Sequence, residues 1–577
     1  MPDQGPIPAL PRVRLADRWA ARRAGWGTPI AGFRSQPQPR FAGSAAQGRQ
    51  LMAGNLRLAG HFVVAGDSLP WNVAPPSQAF AEALHGFEWL DDFAAAGDRE
   101  ARRVAQAWLM AWIDRYGKGS GPGWTADLTG RRQVRWITHA LFLMSGLPRA
   151  ETRRFYDALS RQAGMLARRW RRTSRGLPRF EALTGLIYSA STLTGLETQL
   201  RPALGGLARE CAREIDGSGG IVTRNPEELL EVFTLLTWVA EVLRETGRDP
   251  DPAVSTAIAR IAPTLRSLRH ADGGLVRMQG GARGVPGRLD QALLASGVRP
   301  ARVRGLAMGY ARLGDRRVSV IVDAAPPMTG PGSYNAHAST LALEMTSGRR
   351  PVIVSCGSGS RFGPDWRRAG RATFSHSTLA IAGYSSARLA RGALNEDPLR
   401  QDLMDGPTEV EVQEQQMETA EGVALSHDGW RRTHGLLHLR ALTLEQGGTL
   451  LRGEDGLAAL TPKDRDTFDI VRARLPAKSL PYAIRFHLHP DVRAEIDLGG
   501  NAVSIAVAPG EVWVFRHGPG ATLSLEKSVY LDAARLTPRA TKQIVLSARL
   551  TGYGSAISWS LARPTGFLPA PDFDTDP

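Results

Sequence analysis

Two periods divide the chain. From about residue 78, apolar positions recur at helical steps, with Phe80, Leu84 and Phe87 followed by Val104, Trp108 and Trp112. That is the spacing of one buried helix face. The clearest helix is NPEELLEVFTLLTWVAEVL, where Asn225 can cap the start, Pro226 suits the first turn and Glu228 lies three residues past the cap. Leu229, Phe233, Leu236, Ala240 and Leu243 then make a single apolar stripe. Gly- and Arg-rich connections such as RRTSRGLPRF and EIDGSGGIVTR separate successive helices, which predicts a domain of helical hairpins over residues 76–312. Near residue 315 the period falls to two. RRVSVIVDA, TLALEM, RPVIVS, STLAIAG, TEVEVQ, YAIRFHLH, AVSIAVA, VWVFRHG and QIVLSARL are short segments divided by Gly, Pro and Asp turns. With no helical pattern between them, they predict an antiparallel β-sandwich over residues 313–577.

The first 75 residues are rich in Gly, Pro and Arg and show weak periodicity, so they read as an irregular basic lead-in. A length of 577 residues exceeds what one core supports, in keeping with a multidomain α+β protein. Helices first and strands second place the expected ligand site in a cleft between two domains.

Charge narrows the partners. Lys+Arg number 72 against 56 Asp+Glu, a formal net charge of +16, which favours nucleic acid, membrane headgroups or an acidic polysaccharide. Arginine predominates, and its fork binds carboxylate and sulfate as readily as phosphate. No nucleic-acid motif accompanies the charge, so nucleic acid is not expected as a partner. Only Cys211 and Cys356 are present, which excludes a disulfide framework and a cysteine-based zinc site. No run approaches the roughly 18 apolar residues of a membrane span, and the N-terminus carries no apolar signal-peptide core. A cytoplasmic location is the expectation.

The densest candidate chemistry is SYNAHASTLALEMT, residues 333–346. If residues 335–345 form a regular strand, Asn335, His337 and Ser339 share the face that continues as Leu341, Leu343 and Met345. His337 then sits at the mouth of a buried face, where desolvation keeps its imidazole neutral and basic. Tyr334 points to the opposite face. Further on, Trp366, Arg367, Arg368, Arg371 and His376 crowd between two strands. A ring beside guanidiniums suits an anionic sugar, the ring stacking on the pyranose and the arginines binding its carboxylate or sulfate. Trp124, in the glycine-rich GSGPGWTADLTGRR, is a further candidate for sugar stacking, while Trp108, Trp112, Trp136 and Trp238 lie on helical stripes and read as core. His487 and His489 lie on one strand face and read as a surface feature.

The segments NAHAS, VSCGSGS, DWRRAGRAT and SHSTLAI, in that order and at similar spacing, resemble the C-terminal domain of the heparinase II/III family of polysaccharide lyases. SHDGW, GEDGL, RFHLHPDV and LEKSVYL continue the likeness, and DGSGGIVTRNPEELLEVFTLL resembles the Asp-Gly stretch of the family's helical half. The resemblance implies an incomplete (α/α) toroid of helical hairpins followed by an antiparallel β-sandwich. It implies cleavage of a uronic-acid polysaccharide by β-elimination, with His337, Tyr334 and His376 as catalytic candidates. Asn335, Arg224, Asn225, Trp124, Trp366, Arg367 and Arg371 would contact substrate. Asn335 stands where the family has its first histidine, and the helical half lacks the family tyrosine, Glu227 and Glu228 following Pro226 there. In zinc-containing relatives the positions of His337, Ser355 and His376 bind metal; serine is a poor zinc ligand, so no cofactor is expected. The resemblance also raises the periplasm or cell envelope as an alternative compartment. Two alternatives to the lyase remain at this stage. One is a non-catalytic glycan-binding or envelope-polysaccharide protein on the same scaffold. The other is a hydrolase using Asp216 with Glu227 or Glu228 as paired carboxylates.

Overall fold

The computed structural model describes residues 13–26, 30, 32–40, 43–301, 303, 305–314, 317–390 and 401–564. They divide into two units. A helical unit comprises the chain up to Gly217 together with Leu230–Ala262 and Gly287–Arg299. A strand unit comprises Ser218–Leu229, Pro263–Pro286 and the chain from Pro300 onward. Helices therefore come first and antiparallel sheets second, as the two periods require.

In the helical unit the helix Ala126–Thr138 lies against Leu177–Thr192, which also contacts Arg149–Arg169 and Leu200–Glu214. The first of these contacts depends on glycine. A Cβ on Gly130 would come 2.2 Å from the Glu181 carbonyl oxygen, and one on Gly185 would come 2.5 Å from the Gly130 Cα. Around this pair, Trp89, Trp108, Trp112 and Trp136 form a dense aromatic core with Phe87 and Phe93.

Trp124 belongs to that core, which corrects its reading as a sugar-stacking residue. It is 0% exposed, stacks on Trp112 at 6.1 Å between ring centroids, and its indole N–H donates to the Tyr116 carbonyl at 2.8 Å. The glycines that suggest an exposed loop are what let the chain turn this ring inward. Trp124→Ala is expected to cost about 3–5 kcal/mol of stability, as for other buried tryptophans, read by urea unfolding. An unchanged unfolding midpoint would mean that the ring is not part of the core.

The lead-in is also more ordered than its pattern suggests. It holds the helices Leu15–Ala24 and Ala45–Met52 and the hairpin Asn55–Leu58 with His61–Val64. The first helix buries Asp17, Ala20, Ala21 and Ala24. An alanine face paired with one aspartate leaves almost no apolar periodicity to read, so helix period and helix burial part company here.

The strand unit contains two antiparallel sheets of eight strands each. One runs in the order Val410–Gln416, Ala420–Trp430, Leu436–Glu445, Leu450–Ala458, Gly554–Ala562, Glu511–His517, Ala502–Ala508, Arg493–Asp497. The other runs Thr522–Tyr530, Arg539–Leu550, Leu480–Leu488, Arg350–Val354, Leu343–Ser347, Val318–Asp323, Tyr310–Gly314, with Leu379–Ile381 also paired to Leu480–Leu488. Residues of both sheets share one apolar core, among them Val320, Met345, Phe486, Leu442, Phe515 and Trp559. Alternating burial along Leu436–Glu445 is the signature of a sheet with one face inward.

Candidate functional site

Residues 335–342 are not a strand; pairing begins only at Leu343. The reason is where the backbone groups find partners. Ser333 Oγ donates to the Gly330 carbonyl, and the Ala336 N–H donates to the Ser333 carbonyl, closing a turn. Arg371 then pins the segment, its Nε donating to the Ala336 carbonyl at 2.8 Å and Nη2 to the Ser333 carbonyl at 3.0 Å. The His337 N–H donates to Gln279 Oε1 at 3.0 Å, and the Ala338 N–H to the Arg371 carbonyl at 2.9 Å. Leu341 takes a φ of +61°. Side chains and loops satisfy what a neighbouring strand would have satisfied, so the two-faced alternation expected for Asn335, His337 and Ser339 does not hold.

This irregular segment brings His337 and His376 together. His337 Nδ1 lies 3.2 Å from His376 Nε2, and His376 Nδ1 lies 3.0 Å from Ser355 Oγ. Both rings are buried. Burial drives His337 far below the ordinary imidazole range, with His376, Arg371 and Arg367 adding to the effect. Burial likewise brings His376 down to about 4. Both are neutral at pH 7, as the sequence suggested for His337. Beneath them the Ser355 N–H donates to Glu344 Oε1 at 3.1 Å. Burial opposes ionisation of Glu344, yet Arg277 and His270 hold its carboxyl down at about 2. Arg277 also donates to the Tyr530 hydroxyl at 2.7 Å.

Asp323, at the end of its strand, organises the other side of the segment. Its carboxylate accepts from Ser339 Oγ at 2.7 Å, from Gln279 Nε2 at 2.9 Å and from Arg224 Nη2 at 2.5 Å. Arg224 is thereby withdrawn from the expected role in substrate binding. Its remaining N–H groups donate to the carbonyls of Met308, Ala325, Pro326 and Gly309, so no donor of the guanidinium is left for a ligand. Asn225 is a helix cap. Its Oδ1 accepts from the N–H groups of Glu227 at 3.0 Å and Glu228 at 3.2 Å. It still borders the segment, because a Cβ on Gly281 would meet Asn225 Oδ1 at 2.8 Å and one on Gly280 would meet the Asn335 carbonyl at 2.7 Å.

The solvent side is formed by Tyr334, 40% exposed, and Trp366, 38% exposed. Trp366 stands on the short helix Pro364–Gly370, where a loop was expected. Arg367, on the same helix, donates through Nη2 to the Tyr334 carbonyl and to Asn335 Oδ1, both at 2.8 Å. Arg371 is buried and occupied with carbonyls, including that of Gln401 at 2.5 Å, which corrects its expected contact with substrate. Burial, with Arg367 alongside, lowers its pKa to about 10.

The structure thus gathers Tyr334, Asn335, His337, His376, Arg367 and Trp366 into one neighbourhood, assigns Arg224, Asn225 and Arg371 to its framework, and leaves Trp124 in the core of the helical unit. Gln279, Asp323, Arg277 and Glu344 were missed. Their only trace in the sequence is a polar residue ahead of the Gly-Gly pair in MQGGARG and acids at strand ends.

The zinc alternative fails on geometry. His337 and Ser355 engage opposite nitrogens of the His376 ring, so the three do not converge on one point, and a hydroxyl stands where a carboxylate is needed. Among the described residues no group of three or more His, Cys, Asp and Glu is arranged to hold a metal. The donors do not fit the ion.

Two further histidine clusters are buried, which corrects the surface reading of His487 and His489. His487 Nε2 donates to the Phe374 carbonyl at 3.0 Å, so its Nδ1 accepts from Ser528 Oγ at 2.8 Å. His438 joins His427 at 3.3 Å and Asp455 at 2.9 Å. Asp455 also takes Arg440 and the Trp559 indole. Arg440 reaches on to the carbonyls of Leu341 at 2.6 Å and Ser377 at 3.0 Å, bracing the turn that follows His337.

Comparison with known proteins places these features. Residues 298–560 match the family described as heparinase II/III-like, C-terminal. The chain is 30% identical over 544 residues to the FtsZ-localized protein C of Caulobacter vibrioides (strain NA1000 / CB15N), covering 93% of this chain and 91% of that protein. The crystal structure of heparinase III has a similar fold, with a TM-score of 0.71 at 12% identity over 95% of this chain and 89% of that one. The heparan sulfate lyase HepC from Pedobacter heparinus is similar at a TM-score of 0.55 and 13% identity, covering 96% and 88% of the two chains.

Proposed function

Because the chain belongs to the heparinase II/III-like family, we propose that it cleaves an acidic, uronic-acid-containing polysaccharide by β-elimination around Tyr334, Asn335 and His337. The observation that carries this reading is the buried, neutral His337–His376 pair at 3.2 Å, held beside an exposed tyrosine and an Asn–Arg pair. β-Elimination needs a donor to neutralise the uronate carboxylate, a base for the C5 proton and an acid for the departing oxygen.

Asn335 and Arg367 supply donors for the carboxylate, and Trp366 supplies a ring for the sugar face. One tautomer makes His337 the base. In it, His337 Nδ1–H donates to His376 Nε2 and His376 Nδ1–H donates to Ser355 Oγ, which leaves the His337 Nε2 lone pair free. The base takes the C5 proton, the C4–C5 double bond forms as the C4–O bond breaks, and the leaving oxygen takes a proton from the Tyr334 hydroxyl.

Incubation with glycosaminoglycans, alginate and bacterial exopolysaccharides tests this, because elimination leaves an unsaturated sugar that absorbs in the ultraviolet. Tyr334→Phe should lower turnover by roughly 10²–10⁴-fold, the usual worth of one general acid or base, and His337→Ala by at least as much. Turnover unchanged in His337→Ala would remove the assignment of base. No unsaturated product from any polymer would sink the lyase.

A second reading is favoured by a specific observation: Asn335 replaces the family histidine, and Arg224 and Asn225 are consumed by the framework. On this reading the scaffold is non-catalytic and binds a glycan or envelope polysaccharide, and the 30% identical relative is itself named for its localization and not for a lyase activity. Polymer binding without any product would support it. New reducing ends without ultraviolet absorbance would instead point to hydrolysis.

A further inference from the structure

The helices Ala126–Thr138 and Leu177–Thr192 run in the same direction, because Gly130 abuts Glu181 and Gly185 while Gln133 Nε2, one turn on, donates to Ser189 Oγ at 2.9 Å. Their N-terminal ends therefore lie side by side, and each carries an acid there, Asp127 and Glu181. The turn after the helix Gln78–His85 closes on the same space, since a Cβ on Gly86 would come 3.8 Å from Arg131 Cδ. Arg131 Nε lies 2.7 Å from Glu181 Oε1, and its Nη1 lies 3.7 Å from Glu88 Oε1. Glu82 and Asp127 also act on that guanidinium. From the helix Pro226–Glu245, Glu231 pairs with Arg288 at 2.6 Å and acts on Glu181.

Carboxylates thus outnumber the guanidiniums of Arg131 and Arg288 in this recess of the helical unit, within a chain whose net charge is +16. Glu181 is the floor, only 7% exposed, and the other four acids are half-buried around it. Arg131 takes one oxygen of Glu181. The other, Oε2, meets no donor in the protein. Thr184 Oγ1, on the next turn, and Thr125 Oγ1, at the start of the neighbouring helix, are also buried without partners. A buried acceptor left unmet costs its full desolvation, so the space before Glu181 calls for a donor. Burial pushes the Glu181 carboxyl up to about 7, with Asp127 and Glu231 adding to the effect and Arg131 opposing it. A cation entering the recess would relieve that repulsion.

We propose that this recess binds a primary ammonium group, carried by a sugar with a free amine. An ammonium presents three N–H donors on a compact charge, enough for Glu181 Oε2, the Asp127 carboxylate and a threonine hydroxyl together. A metal ion fits less well, because among the described residues no group of three or more His, Cys, Asp and Glu is arranged to hold one. Acetylation of the amine removes its charge and leaves one N–H, so the recess distinguishes the free amine from the amide. The sugar as carrier rests on the polysaccharide reading above. The ammonium site does not, and nothing in it depends on His337.

The test is calorimetric titration of the full chain with a tetramer of glucosamine, with its fully N-acetylated counterpart and with spermidine. The glucosamine tetramer is expected to bind, more weakly as salt rises, and the acetylated tetramer is not. Glu181→Gln should weaken binding at least about tenfold, and Asp127→Asn, at a half-exposed position, about threefold. Both substitutions keep the size of the side chain, and thermal unfolding checks that the variants are folded. Glu414→Gln, exposed in the strand unit, should leave binding unchanged, which separates the recess from overall charge. Binding of spermidine but not of the glucosamine tetramer would overturn the sugar as the carrier while upholding the ammonium site. No binding of either amine, equal binding of the acetylated tetramer, or full binding by both recess variants would overturn the proposal. So would calcium or magnesium competing with the amine for the recess. No arm reads an unsaturated product, so failure here is distinct from failure of the lyase reading.

Discussion

Asp323→Ala is expected to cost about 3–5 kcal/mol, the range for removing one partner of a buried ion pair. The carboxylate is fully buried and accepts from Arg224, Gln279 and Ser339. Its loss leaves the Arg224 charge without a counter-ion, and it removes one acceptor of Gln279, whose Oε1 holds the His337 N–H. Urea unfolding should show a lower midpoint at an unchanged slope. Asp323→Asn preserves shape but not charge and should recover less than half of the loss. If the asparagine variant is as stable as the wild type, the Arg224–Asp323 charge pair is not what secures the segment.

Stability should fall steeply as pH drops below about 6.5, the pKa of a histidine in the unfolded chain. Burial lowers His337 and His427 far below that value, His376 to about 4 and His487 to about 3. Between the unfolded and folded values the unfolded chain binds protons that the folded chain does not, so unfolding gains. Each such histidine is worth roughly 1.4 kcal/mol per pH unit over its window. His376 and His487, with the windows that their folded values set, account for a large part of a typical domain stability of about 5–15 kcal/mol, and His337 and His427 act in the same direction. Glu344, at about 2 when folded, adds a second loss as pH falls from about 4.3 towards 2. Urea midpoints measured at pH 7.5, 6.5 and 5.5 check this. A flat response down to pH 5 would mean the histidines are not buried in the neutral form.

How the site could be read from the chain varied by residue. His337 and His376 were visible as paired polar signals within the motifs NAHAS and SHSTLAI, and the structure sets them 3.2 Å apart. The neutral state of His337 also followed, because it needs only burial. The role of Arg224 was not visible, because nothing local tells a ligand-binding arginine from one whose donors all meet carbonyls and an aspartate. Trp124 misled for a related reason: glycine-rich flanks signal a turn but not the direction in which the ring points. The alternation assumed through residues 335–345 failed because Gln279 and Arg371, distant in sequence, took the backbone partners that a strand would have used.

By itself, the sequence determined the order of helices and sheets, the antiparallel strands and the family, since these rest on period and local motif repeated over many residues. It also determined the basic surplus and the neutral state of His337. Only the tertiary structure decided that Ser218–Leu229 and Pro263–Pro286 belong to the strand unit and carry Arg224, Gln279 and Arg277 to the segment. It alone turned Trp124 inward onto Trp112 in the core of the helical unit. Period reports which side of an element is apolar. It does not report which distant carboxylate or carbonyl will claim a given donor, and that competition is settled only when the chain has closed on itself.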